Sequence, residues 1–248
     1  MSRLFVKRYP NISARRRAEA NYRWLAQVPG PARLPELLSA AGPDLRFERV
    51  EGRHALPQDL TMLAAHLGDM HGAAYTQELN RAKLGLPYQA VGGHLLPDFP
   101  DRRINAVTRE LEAGNVPRTT LTITRARRLI ADADGPAAFY KDANPRNFLI
   151  TPAGTPVTID FDDLTLAPFG YDLAKLIVTL AMTHGHISKA TFTEALDAYN
   201  AAGKNRCATL PAVTPNELMN WAKIHHILSS RYAVDGRYPH RWNEVGAS

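Results

Sequence analysis

Asp142, Asn147 and Asp160 offer three hard oxygen donors within a short span of chain. They lie in Tyr140-Lys141-Asp142-Ala143-Asn144-Pro145-Arg146-Asn147-Phe148-Leu149-Ile150 and in Thr158-Ile159-Asp160-Phe161-Asp162-Asp163. Phe148-Leu149-Ile150 and Val157-Thr158-Ile159 are apolar, partly β-branched runs, and Pro152-Ala153-Gly154-Thr155 between them is turn chemistry, so the stretch reads as a β-hairpin. If the strands pair antiparallel, the residue entering the first lies beside the residue leaving the second, and Asn147 and Asp160 converge. Two such oxygens suit Mg²⁺, which takes few protein ligands and keeps its other positions for water and phosphate. Asp162 and Asp163 are open alternatives for sharing that ion; Asp160 is favoured because it directly follows Ile159 of the strand. An isolated Asp-x-x-x-x-Asn says little, and the weight rests on the hairpin and on Tyr171-Asp172-Leu173-Ala174 beyond it.

The elements that must position these groups are legible as punctuation and period. Residues 4–7 read as a short strand ending in a lysine, and Ser13 offers an N-cap for a helix to about residue 28 with Ala18, Tyr22 and Leu25 as its apolar stripe. Pro29-Gly30-Pro31 stops that helix. After a mixed connection, residues 45–50 alternate Leu45 and Phe47 with Arg46 and Glu48 as a second strand, which Glu51-Gly52 ends. From Pro57, Leu60, Leu63, Ala64, Leu67 and Met70 recur at three and four residues, the pattern of a helix facing a core. The Gly- and Pro-rich residues 85–100 read as a loop or insertion. Helices are expected near 103–112 and 120–131 and, after the hairpin, over 171–182, 189–202 and 215–233, which gives an α+β chain with a mainly helical second part.

Composition narrows the class. With 248 residues, 45% hydrophobic and 22% charged, the chain is long enough for a sizeable core. No apolar run is long enough for a membrane span and no signal peptide is visible, so no membrane role and a cytoplasmic address are expected. The single Cys207 excludes an internal disulfide and a Cys-based zinc site. The histidines, among them His71, His94, His225 and His226, form no ligand pattern. The net charge of +6 comes from residues 1–141, with 21 Lys+Arg against 14 Asp+Glu, whereas residues 142–248 carry 9 against 10. Arg15-Arg16-Arg17 and Arg125, Arg127 and Arg128 lack interleaved aromatics, so solvated helix faces are expected rather than a nucleic-acid polymer as partner.

Together the segments around Asp142, Asp160 and Asp172 resemble the aminoglycoside phosphotransferase and choline kinase family, which has the protein-kinase-like two-lobed fold. The resemblance is sharp over residues 140–174 and looser over 4–182. It implies a reduced N-terminal nucleotide-binding lobe and hinge in 1–52 and a helical lobe in 53–248. It implies ATP and Mg²⁺ as cofactors and a small hydroxylated acceptor, antibiotic or metabolite, as partner. By the same resemblance Asp142 accepts the proton of the acceptor hydroxyl, and Asn147 and Asp160 hold Mg²⁺ against the phosphates. Asp172 braces the catalytic loop. Lys7 corresponds to the lysine that contacts the α- and β-phosphates and Glu19 to the helix carboxylate that pairs with it, while Phe47-Glu48-Arg49-Val50-Glu51-Gly52 is similar to the hinge, with backbone groups of Glu48 and Val50 on adenine.

The sequence also departs from that family. Ahead of Lys7 it shows no counterpart of the Gly-rich hairpin that covers the ATP phosphates. Tyr140-Lys141 replaces the usual His-Gly, and Asn144 stands where a cation or histidine is common, leaving Arg146 or Lys141 to supply positive charge. These departures support an alternative, a pseudokinase-like module that binds nucleotide or a partner without transfer. The short path from Asp160 to Tyr171-Asp172 leaves no length for the activation segment of a protein kinase. Nothing in the sequence specifies an oligomeric state.

Overall fold

The computed structural model describes residues 4–30, 33–116 and 119–242. Strand β1 (Leu4–Arg8) pairs antiparallel with β3 (Asp44–Glu48), Leu4 facing Glu48 and Arg8 facing Asp44. The other edge of β3 carries β2 (Leu37–Ala41). Helix α1 (Ile12–Gln27) crosses this sheet, and Ala18 and Tyr22 pack with Tyr9, Leu45 and Phe47 in a small core of their own. Its cap is Asn11, not Ser13. Asn11 is in extended conformation, its side chain accepts from the Ala14 N–H, and the helix starts before the serine is reached.

Two further small sheets carry the loops of interest. β8 (Phe148–Ile150) and β9 (Pro156–Thr158) form the expected hairpin in antiparallel register, Phe148 facing Thr158, with β4 (Arg53–His54) on the outer edge of β8. Gly154 closes the turn at φ 77°, a left-handed conformation that glycine adopts without a Cβ clash. β7 (Ala137–Tyr140) pairs antiparallel with β10 (Thr165–Pro168). Within residues 85–100, read as a loop or insertion, β5 (Tyr88–Gln89) and β6 (Leu95–Leu96) make a minimal hairpin.

The remaining elements are helical: α2 (Leu60–Gln77), α3 (Pro100–Glu112), α4 (Ile123–Ala131), α5 (Tyr171–His184), α6 (Lys189–Arg206) and α7 (Pro215–Val234). α7 opens with Pro215 and a reciprocal capping box, Thr214 with Glu217. α5 is buried on every face from Tyr171 to Met182, so it forms the centre of the helical part. Leu173, Leu176 and Leu180 are wholly out of water there, each contributing roughly 1.5–3 kcal/mol of burial. None of the described helices is long and apolar enough to cross a membrane.

α2 and α6 approach unusually closely, because glycine leaves the backbone bare at the crossing. A Cβ on Gly68 would lie 2.2 Å from the Tyr199 carbonyl oxygen, and one on Gly72 would lie 2.8 Å from Cβ of Arg206. We therefore expect Gly68→Ala to force the helices apart and to lower unfolding stability by about 2–3 kcal/mol or more, the scale of overpacking a filled core. Denaturant unfolding measures this; a loss within about 0.5 kcal/mol, typical of a neutral surface change, contradicts the close crossing.

Candidate active site

The chain leaves β7 at Tyr140 and reverses at Asp142, which has φ 62°. A non-glycine residue in this region costs roughly 1–3 kcal/mol unless its surroundings hold it, although Asp tolerates it better than most. Asp172, in the first turn of α5, supplies that hold. Its Oδ2 accepts from the Lys141 N–H at 3.1 Å and its Oδ1 from the Ala143 N–H at 2.8 Å, so one carboxylate clamps both flanks of Asp142. The Asp142 carbonyl accepts from Asn147 Nδ2 at 2.8 Å. Burial raises the Asp172 carboxyl to about 6, with the Lys141 ammonium and the two N–H groups opposing the rise.

This arrangement turns the Asp142 carboxylate towards a cavity of about 350 Å³. Its Oδ1 accepts from the Tyr140 hydroxyl at 2.8 Å and lies 3.4 Å from Lys175 Nζ. Lys175 comes from α5 and reaches Ser229 on α7 at 3.4 Å. Burial by itself would lower the Lys175 ammonium; the charge of Asp142 outweighs it and the net shift is upward. Lys141, one of the cations expected to serve the catalytic loop, instead buries its ammonium 4.2 Å from the Phe148 ring with no hydrogen-bond partner.

The hairpin brings the second group of residues together. The Ile159 N–H donates to the Asn147 carbonyl at 3.0 Å, so Asn147 and Asp160 emerge side by side. Asp160 has φ 63°. The loop after it hangs from α1, where the buried Asn21 Nδ2 donates to the carbonyls of Phe161 at 2.6 Å and Asp162 at 3.1 Å. Lys7 Nζ lies 2.7 Å from Asp160 and 2.8 Å from Asp162, and the Tyr9 hydroxyl donates to Asp162 at 2.9 Å. Burial opposes the Lys7 charge, yet the two carboxylates prevail and its ammonium is raised.

Glu19 does not meet Lys7. Arg15 and Arg23, one helical turn before and after it, take its carboxylate in local i,i+4 pairs. The partners of Lys7 are the carboxylates of Asp160 and Asp162 instead. Above it, a second cavity of about 190 Å³ is walled by Phe5, Phe47, Glu48, Val50, Leu149 and Phe161. The Glu48 N–H is committed to the Glu36 carbonyl at 2.9 Å.

For a divalent ion the donor chemistry fits. Among the described residues no three His, Cys, Asp or Glu side chains cluster as a complete cage, and Mg²⁺ does not demand one, since it retains waters and phosphate oxygens. The Lys7 ammonium already lies between Asp160 and Asp162, so the two carboxylates face one point. Two positioning residues were not recognised from the sequence. Asn21 sits three residues from Ala18 and from Trp24, on the apolar face of α1, and a polar residue there was a usable signal. Lys175 is the one lysine in an otherwise apolar helix run, which was another.

The fold is that of the kinase-like phosphotransferases. The chain belongs to the phosphotransferase enzyme family, whose model matches residues 2–211. No curated protein matches the sequence significantly. Among solved structures it resembles an aminoglycoside-3'-phosphotransferase of type VIII, with 19% identity, TM-score 0.53, and 90% of this chain and 84% of that one covered. It also resembles a choline/ethanolamine kinase family protein from Mesorhizobium loti, with 15% identity, TM-score 0.56, and 95% and 73% covered. A third is an amicoumacin kinase in complex with AMP-PNP and Ca²⁺, with 15% identity, TM-score 0.51, and 92% and 74% covered. At these identities the likeness speaks for the fold.

The clamp on the loop around Asp142 gives a direct test. In Asp172→Asn one of the two loop N–H groups faces an amide NH₂ and Lys141 loses its buried counter-charge. We expect a stability loss of about 2–4 kcal/mol in denaturant unfolding. A variant as stable as the parent would remove Asp172 as the brace.

Proposed function

We propose that this chain transfers the γ-phosphate of ATP to a hydroxyl of a small molecule. The observation that supports this reading most is the convergence of Asp142, Asn147 and Asp160 on one hairpin base, with Lys7 beside Asp160 and the Asp142 carboxylate open to a separate cavity. Residues 1–52 are assigned as the nucleotide lobe and hinge and 53–248 as the helical lobe. In the apolar cavity the Glu48 carbonyl, whose own N–H is spent in the sheet, and the N–H of Val50, beyond the end of β3, are the groups assigned to adenine. Lys7 is assigned to the α- and β-phosphates. Asn147 and Asp160 are the proposed Mg²⁺ ligands, with Asp162 alongside; when bound, the ion neutralises phosphate charge.

In the transfer step the acceptor oxygen forms its bond to the γ-phosphorus, the bond to the ADP oxygen breaks, and the hydroxyl proton passes to Asp142. Asp142 can receive it because its left-handed backbone and its bonds to Tyr140 and Lys175 hold the carboxylate at one place. The chemistry asks little more than position and electrostatics. Glu19 has no part in this reading. ATP as donor agrees with a cytoplasmic location.

Calorimetric titration with a non-hydrolysable ATP analogue, with and without Mg²⁺, tests the nucleotide site before any acceptor is known. Mg²⁺-dependent binding is expected, and its absence counts against the proposal. With an acceptor in hand, Asp142→Ala should lower turnover by about 10²–10⁴-fold, the range for a lost general base, while analogue affinity stays within about threefold. Asp160→Ala should abolish the Mg²⁺ dependence of analogue binding. Near-parental turnover in either variant would sink the assignment of that residue.

A further inference from the structure

Resting on that reading, the charge of the cavity in front of Asp142 identifies the acceptor class. The cavity is bounded by the catalytic loop, α3, α5 and the end of α7, and it does not include Asn147, Asp160 or Lys7. Lys7 and Asp160 belong to the apolar cavity on the other side. The groups lining the first cavity therefore serve the acceptor, not the nucleotide.

Five of these groups are cations and three are carboxylates. The carboxylates are largely spoken for. Asp142 has Lys175. Glu110, with its side chain only 6% exposed, offers the same oxygen to Arg109 at 3.2 Å and to Arg231 at 3.8 Å. One buried negative charge thus holds two guanidiniums at the cavity and leaves one positive charge uncompensated. Arg231 and Arg237 lie over the Tyr232 ring at 4.5 and 5.2 Å, which fixes both. Arg146 and Arg237 have no carboxylate partner among the described residues. Asp163 is the one lining acid outside these pairs.

An amino sugar or a quaternary amine would bring positive charge to this surplus. A carboxylate or phosphate would instead meet planar N–H forks that are already positioned, the geometry in which guanidinium binds such anions best. A cavity of about 350 Å³ is at the lower end of small-molecule sites, which favours a compact molecule. We propose that the acceptor is a small hydroxylated anion, a hydroxycarboxylate or a phosphate monoester, with its hydroxyl at Asp142 and its charged group at the Arg109, Arg231 and Arg237 wall.

The test is calorimetric titration of the full chain, without nucleotide, with size-matched probes that differ in charge. The probes are glycerate, glycerol 3-phosphate, glycerol and serinol, then gluconate, glucose 6-phosphate, sorbitol and glucosamine. At least tenfold tighter binding of an anionic member than of its neutral and cationic counterparts is expected, and the carboxylate and phosphate arms separate the two anions. In Arg231→Gln/Arg237→Gln, checked for folding by circular dichroism, that preference should fall to within about threefold. Equal binding across charge, a preference for serinol or glucosamine, or a preference unchanged in the double variant overturns the proposal. A parallel titration with the Mg²⁺-ATP analogue separates the two claims. Anion preference without nucleotide binding keeps this inference and removes ATP transfer; nucleotide binding with cation preference does the reverse.

Discussion

The site depends on the grip of one buried carboxylate on two backbone N–H groups. Among the described residues only Asp142 and Asp160 combine a side chain with positive φ, and both belong to the candidate site. A loop held this way needs anchors stiffer than itself. Asp172 is such an anchor because it stands in the first turn of the most enclosed helix, and moving it would move α5 against the main core. The cost is visible in its own ionisation, which burial pushes up to about 6. Because that carboxyl is raised above its unfolded value, the native state binds the extra proton, and the contribution of this group to stability falls as pH rises from about 4 through about 6. The clamp therefore trades some neutral-pH stability for a fixed loop.

Electrostatics then gives the two aspartates different partners. Lys7 from β1 holds Asp160 and Asp162, and Lys175 from α5 holds Asp142. Both ammoniums are raised despite burial, so Asp142 has a counter-ion to itself while Asp160 and Asp162 share one. Lys141 differs. Although adjacent to Asp142 in sequence, it is turned into the core, where burial lowers it and the charge of Asp172 works against that shift. The cation that pairs with Asp142 thus comes from a helix more than thirty residues onward.

Much of this was legible because the decisive features are local. The hairpin announces itself in β-branched runs, a Gly turn and polar residues at its open end, and the convergence of Asn147 with Asp160 follows from antiparallel pairing alone. The long helices were equally plain from their period. Short strands were not: β2, β4, β7 and β10 are too brief or too uniformly apolar to show alternation, and they exist only because a partner strand lies beside them. Pairings that require three dimensions were also hidden. Glu19 sits between Arg15 and Arg23 at helical spacing, so its nearest cations were in view and the more distant Lys7 was not among them. Nothing local connects Lys175 to Asp142.

The basic excess of the first part of the chain acquires a meaning from the same contacts. Arg8 is bound to Asp44, Arg53 to Asp59, and Arg15 and Arg23 to Glu19, so several of these charges are taken up in ion pairs within the chain. Arg103 goes further inward. It is 7% exposed, donates to the Phe99 carbonyl and to Thr165 Oγ1 at 2.8 Å each, and lies 4.5, 5.0 and 4.9 Å from the rings of Phe99, Tyr140 and Tyr171. A guanidinium enclosed by three aromatic faces fixes those rings against one another. Tyr140 is one of them, and its hydroxyl donates to Asp142. An arginine that does not touch Asp142 therefore helps to place the tyrosine that bonds to it. In this chain the geometry of the carboxylate is built by charges placed behind it as well as by those beside it.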